Sequence, residues 1–110
     1  MKLLDKFGNI ITEINFGEVF VGEKTRYECY LYNDSGTDMH DIVINFEAVN
    51  PDLTEEQAKE LLKEVELIKF PTFLGMEGKD IVIIEWTPAL KIKKGLRLKV
   101  IIKGIEKYKP

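Results

Sequence analysis

The chain has 110 residues, 45% of them apolar and 32% charged, with a net charge of −3 and one cysteine. Those values describe a single globular domain, residues 1–110, with room for one core. They exclude an internal disulfide and a cysteine-based zinc site, and with no apolar run longer than the four residues Ile81 to Ile84 they exclude a membrane-spanning helix.

The opening Met1-Lys2-Leu3-Leu4-Asp5-Lys6-Phe7-Gly8 has no hydrophobic centre, so no secretory leader is expected. The expected location is the cytoplasm, or a particle assembled there. Asn33-Asp34-Ser35 matches a glycosylation acceptor, which carries no meaning without secretion. The charge is split: residues 1–90 hold 8 Lys+Arg against 18 Asp+Glu, and residues 91–110 hold 8 against 1.

Period-two alternation dominates the chain. Ile10, Thr12, Ile14 and Phe16 predict a first strand over residues 10–16. Residues 25–33 predict a second, with Tyr27, Cys29 and Leu31 on one face and Arg26, Glu28, Tyr30 and Tyr32 on the other. Asn33-Asp34-Ser35-Gly36 reads as a turn, because Asn, Asp and Gly tolerate positive φ. Residues 39–47 predict a third strand, with Ile42, Ile44 and Phe46 on a common face.

The period then changes. Thr54-Glu55-Glu56-Gln57 is a capping box, and Ala58, Leu61, Leu62 and Val65 form one apolar stripe at helical spacing. A helix over residues 55–65 follows. Residues 65–70 are ambiguous between helix end and strand. Phe70-Pro71-Thr72-Phe73-Leu74-Gly75 reads as a loop, since proline cannot join a central ladder. Residues 80–86 predict a β-branched strand, and residues 96–103 a last one with Leu96, Leu98, Val100 and Ile102 alternating against Arg97, Lys99, Ile101 and Lys103. Trp86, Phe16, Tyr27 and Phe46 are the expected core aromatics.

Several motifs in order resemble the major sperm protein and ASH-type domain family. They are Phe16-Gly17-Glu18-Val19-Phe20-Val21-Gly22-Glu23, Leu31-Tyr32-Asn33-Asp34-Ser35-Gly36, Leu74-Gly75-Met76-Glu77-Gly78-Lys79, Ile84-Glu85-Trp86-Thr87-Pro88 and Gly95-Leu96-Arg97-Leu98. The resemblance spans residues 10–104 and departs from the family at the helix. It implies an all-β fold, an immunoglobulin-like antiparallel β-sandwich of about seven strands with one α-helix inserted at residues 55–65. It also implies a non-catalytic role: binding other proteins, building fibrous assemblies or decorating larger particles.

Gly17 to Thr25 is one residue away from a phosphate-binding loop. Glu23 puts negative charge where the anion would sit, and a strand follows where a helix N-terminus is needed. The glycines instead read as a corner between strands. Cys29 alternates with core residues and reads as a small buried hydrophobe. His40 is the only histidine and reads as a solvated turn residue between Asp38 and Asp41. Asp34, Asp38 and Asp41 lack the calcium-loop spacing and its distal Glu. Glu55, Glu56, Glu60 and Glu64, interleaved with Lys59 and Lys63, read as a solvated helix face.

The candidate partner-binding surface is Tyr30, Tyr32, Arg97, Lys99 and Lys103. The three cations share one face of the last strand, where lysines also guard a sheet edge against aggregation. Tyr30 and Tyr32 are interface anchors, or else are covered by the inserted helix. The expected function is a structural or protein-binding module docking on a larger assembly, such as a coat-decoration or tail accessory protein of a phage-type virion. The alternative is an intracellular adaptor that binds a peptide or protein partner at a sheet edge. No enzymatic activity and no cofactor are expected, because the carboxylates are scattered and there is one His and one Cys. Partners are proteins, including copies of itself. Nucleic acid is not expected against so acidic a body, nor is a membrane.

Overall fold

Strands with alternate apolar residues need a second apolar surface to cover them, and here two antiparallel sheets cover each other. The computed structural model describes residues 1–89 and 95–106; Lys91, Lys93 and Lys94 of the basic segment lie outside the described residues. In chain order the elements are β1 (Lys2–Leu4), β2 (Ile10–Ile11), β3 (Glu13–Asn15), β4 (Thr25–Tyr32), β5 (Met39–Ala48), α1 (Glu55–Leu62), β6 (Val65–Lys69), β7 (Lys79–Trp86) and β8 (Arg97–Glu106). A five-stranded sheet has the order β2-β1-β4-β7-β6 and a three-stranded sheet the order β3-β8-β5.

The inner faces supply one shared core. Leu3, Cys29, Leu31, Val82, Ile84 and Trp86 come from the larger sheet, and Ile14, Ile42, Ile44 and Leu98 from the smaller. Phe16 packs on Trp86 with ring centroids 5.5 Å apart and meets Tyr27 edge-on at 6.2 Å. Tyr27 and Phe46 are half-buried rather than central. Among the described residues, no helix is long and apolar enough to cross a membrane.

Three expectations change. The stretch 10–16 is two strands: Ile10–Ile11 pairs with β1 in the larger sheet, and Glu13–Asn15 with β8 in the smaller. The chain switches sheets at Thr12, so alternation ran across a corner. β1 was not expected; its 3 residues are too short to show a period, and the buried Leu3 fixes them. The last strand is not an edge along its first part. β8 pairs with β5 along its length and with β3 over Arg97–Lys99, so Lys99 guards no edge, while Lys103 lies beyond β3 and pairs with β5 alone. Alternation reports that a strand is half-buried and says nothing about its neighbours.

α1 starts as expected. The Gln57 N–H donates to Thr54 Oγ1 at 3.2 Å, and the Thr54 N–H donates to Gln57 Oε1 at 3.0 Å. It ends at Leu62 rather than Val65, because Val65 already pairs with Trp86 as the first residue of β6. The ambiguous segment is therefore strand. α1 links β5, an edge of one sheet, to β6, an edge of the other, and packs mainly on β5.

The glycine-rich segment is a backbone crossing. Gly95 has φ 69°, and a Cβ there would lie 1.8 Å from the Gly17 carbonyl oxygen. Phe16 donates to the Leu96 carbonyl at 3.0 Å beside this contact. Gly22, φ 82°, sits third in a turn closed by the Glu23 N–H on the Phe20 carbonyl at 3.0 Å. That turn leaves Phe20 and Val21 both exposed, so Val21 does not share the half-buried side of Val19. β4 follows where a phosphate loop would need a helix.

Candidate protein interface

With inner faces buried against each other, the candidate residues are sorted by sheet. Tyr30 and Tyr32 lie on the outer face of the five-stranded sheet, opposite in direction to the buried Cys29 and Leu31. Arg97, Lys99 and Lys103 lie on the outer face of the three-stranded sheet, opposite in direction to the buried Leu98. They form two surfaces on opposite sides of the sandwich rather than one.

The cationic face is locally balanced. The Arg97 guanidinium is paired with the Glu13 carboxylate through Nε, with a second bond from its terminal nitrogen at 3.2 Å. That hydrogen-bonded pairing holds the Glu13 carboxyl below its ordinary range and raises Arg97. Lys99 stands in register between Glu13 on β3 and Glu47 on β5. Lys103 stands opposite the exposed Val43. A row of alternating signs presents little net field to a phosphate backbone.

The tyrosine face has a different character. Register aligns Ile10 with Leu4, Leu4 with Tyr30, and Tyr30 with Ile81, so one apolar row crosses β2, β1, β4 and β7. One row away Lys2, Tyr32 and Lys79 align, and on the other side Glu28 aligns with Ile83. The Lys79 ammonium sits 5.1 Å from the Tyr30 ring centroid. Ile10 is 60% exposed and Ile68, in the bulge of β6, 43% exposed. α1 does not provide the cover the sequence allowed for, since it packs mainly on β5 of the other sheet. At the far end Glu85 is nearly buried, bonded at 3.3 Å by both Arg26 Nε and its terminal nitrogen, with Lys24 at 3.9 Å. Glu66 stands directly opposite Glu85.

The remaining candidates are structural. The Cys29 thiol is buried and pushed up to about 11 by that burial, so it is protonated and unreactive at neutral pH. His40 belongs to β5 rather than to a turn, its Nδ1 3.0 Å from Asp41 Oδ2 at a bulge where Asp41 has φ 51°. Asp34 pairs with the Met1 amine at 3.0 Å and Lys2 at 3.3 Å, and Asp38 accepts from the Met76 N–H at 2.9 Å. Among the described residues, no three His, Cys, Asp or Glu side chains converge on a metal position.

Three polar residues do more than the sequence indicated. Glu64 lies past the helix and is half-buried; it accepts from Trp86 Nε1 at 3.3 Å and from the Ala89 N–H at 2.9 Å, so it is no part of a solvated helix face. Asn33 is fully buried, its amide donating to the carbonyls of Thr37, Leu74 and Gly75 at 2.7, 3.1 and 3.1 Å. It clamps the turn by its side chain, and within that turn the positive φ belongs to Gly36. Asn50 donates to the Gly95 carbonyl at 2.7 Å and accepts from the Arg97 N–H at 3.0 Å. Asparagine between apolar strand ends was the one signal for both clamps. Compared with known protein families, curated proteins and solved structures, the chain matches none.

Proposed function

We propose that the chain is a non-catalytic structural or protein-binding module that docks on a larger assembly through the outer face of its five-stranded sheet. One observation carries this reading: an in-register apolar row, Ile10, Leu4, Tyr30 and Ile81, crosses four strands on the face turned away from the second sheet, while α1 packs mainly on β5. Apolar area of that extent, rimmed by Lys2, Lys79 and Glu28, has the make-up of a protein contact surface. The immunoglobulin-like assignment and the role as a virion coat-decoration or tail accessory protein rest on the resemblance of the sequence motifs to the major sperm protein and ASH-type family. The pairing of Arg97 with Glu13 and the carboxylates in register on both sides of Lys99 support protein over nucleic acid as partner.

The test is a photo-crosslinking amino acid placed at Tyr30 and, as control, at Lys99, in the protein expressed where its partners are present. Adducts at position 30 and few at 99 are expected. Adducts at 99 with none at 30 refute the assigned face. The second reading, an adaptor capturing a peptide strand, is favoured by β6, a five-residue edge strand on the same sheet. Its bulge between Leu67 and Lys69 obstructs added strands, which ranks it second.

A further inference from the structure

The same outer sheet face carries unmet charges at its two ends, and they complement each other. Glu66 is exposed, stands directly opposite Glu85, and has no ion pair among the described residues. Like charges directly opposite each other across strands repel. Glu85 has Arg26 and Lys24 for relief; Glu66 has no such cation. At the other end Lys79 is exposed, lies over the Tyr30 ring, and has no carboxylate partner among the described residues.

We infer that the occupant of this face is a second copy of the chain, packed sheet against sheet about a two-fold axis. This deepens the docking reading above and rests on it. An axis lying across the strands, level with Val82, sets Ile81 of one copy on Ile83 of the other. It carries Lys79 of each copy to the Glu85–Glu66 end of its partner. Both copies present the same patch, so the contact closes as a dimer and stops there. Sheets packed this way keep their strands within about 30° of each other, and the same register sets Tyr32 of one copy on Arg26 of the other and Tyr30 on Glu28. Under that axis β4 and β7 of one copy lie over β4 and β7 of the other from Arg26 to Tyr32 and from Lys79 to Glu85; at about 4.8 Å between strands and about 3.3 Å per residue this is roughly 220 Å² per copy and roughly 450 Å² for two before side-chain relief is added. That extent fits a weak, reversible dimer rather than a permanent one.

Sedimentation equilibrium of the purified chain from about 10 μM to about 1 mM tests it, because a weak dimer dissociates within that range. The wild type is expected to pass from monomer to dimer. Lys79→Glu alone and Glu66→Lys alone each set like charges together across the interface and are expected to weaken association at least about tenfold. An equimolar mixture of the two variants restores both opposite-charge contacts and is expected to dimerise again. Ile81→Lys is a second route to the monomer, and unfolding midpoints check that each variant folds. A wild type that is monomeric at about 1 mM overturns the proposal, as does a dimer indifferent to both reversals or a mixture that fails to recover. Failure here is distinguishable from failure of the docking reading, because crosslinks from position 30 to proteins of other mass would persist.

Discussion

Replacing Asn33 by Ala removes an amide that serves three carbonyls, those of Thr37, Leu74 and Gly75, and an oxygen that accepts from the Ser35 N–H and hydroxyl at 3.1 and 2.6 Å. Two amide hydrogens divided among three acceptors count as about two full bonds, each with a net value of about 1 kcal/mol. Each carbonyl keeps a second donor, the Ser35 hydroxyl on Thr37, the Met39 N–H on Leu74 and the Gly78 N–H on Gly75, so no acceptor is orphaned. The loss is expected to be about 2–3 kcal/mol, against a total stability of roughly 5–15 kcal/mol for a domain. Urea unfolding followed by the fluorescence of Trp86, the single tryptophan, measures it. Asn33→Asp sharpens the test. Its carboxylate still accepts from Ser35 but faces three carbonyl oxygens, so at pH 7 it is expected to destabilise at least as much as Ala. It should recover partly as acid protonates the new carboxyl into a donor. A cost below about 1 kcal/mol for Ala, or an Asp variant more stable than the Ala variant at pH 7, refutes the clamp.

Gly95→Ala meets the Gly17 carbonyl at 1.8 Å as well as the positive φ, and is expected to lose about 3 kcal/mol or more. Gly22→Ala shares the positive φ but finds nothing within 4 Å, so about 1 kcal/mol is expected; equal losses in urea would argue against the crossing. Glu13 and Asp34 are held below the ordinary carboxylate range, by the Arg97 hydrogen bond and by the bond from the Met1 amine respectively. Depressed folded values mean that their stabilisation is present above about pH 4.5 and is lost as pH falls through the folded values. The urea midpoint is therefore expected to drop more steeply below that pH in wild type than in a Glu13→Gln, Asp34→Asn variant, and parallel profiles would count against it. Cys29 is expected to resist thiol reagents at pH 8 in the native state and react fully in guanidinium; free-thiol rates in the folded protein would contradict its burial.

Much of the architecture was legible where one physical rule acted alone. β4 and β7 read correctly because their buried faces are strictly alternate, Cys29 and Leu31 in one, Val82, Ile84 and Trp86 in the other. The N-terminus of α1 read correctly because the Thr54–Gln57 box is local. What failed was non-local. That β8 lies between two partners depends on Glu13 and Glu47 finding Lys99 from distant parts of the chain. Glu64 kept helical spacing while the chain had already left the helix to bond Trp86. The candidate surface was read from two strands separately, and only the assignment of β4 and β8 to different sheets shows that Tyr30 and Arg97 face apart.

The central place of β8 also bears on how the chain acquires its fold. β3 and β5 are not neighbours; among the strands of the described residues each pairs with β8, and the Glu13–Lys99 pair joins residues 86 apart (99 − 13). During synthesis the larger sheet, whose strands all precede β8, can assemble first. The apolar side of β5, with Ile42 and Ile44, must wait uncovered by its own sheet until the last strand emerges and inserts. Such long closures are slow, on a scale of milliseconds to seconds. Over that interval the half-built molecule presents two unpaired strand borders flanking a vacant slot, the state most open to a chaperone or to a strand from another chain.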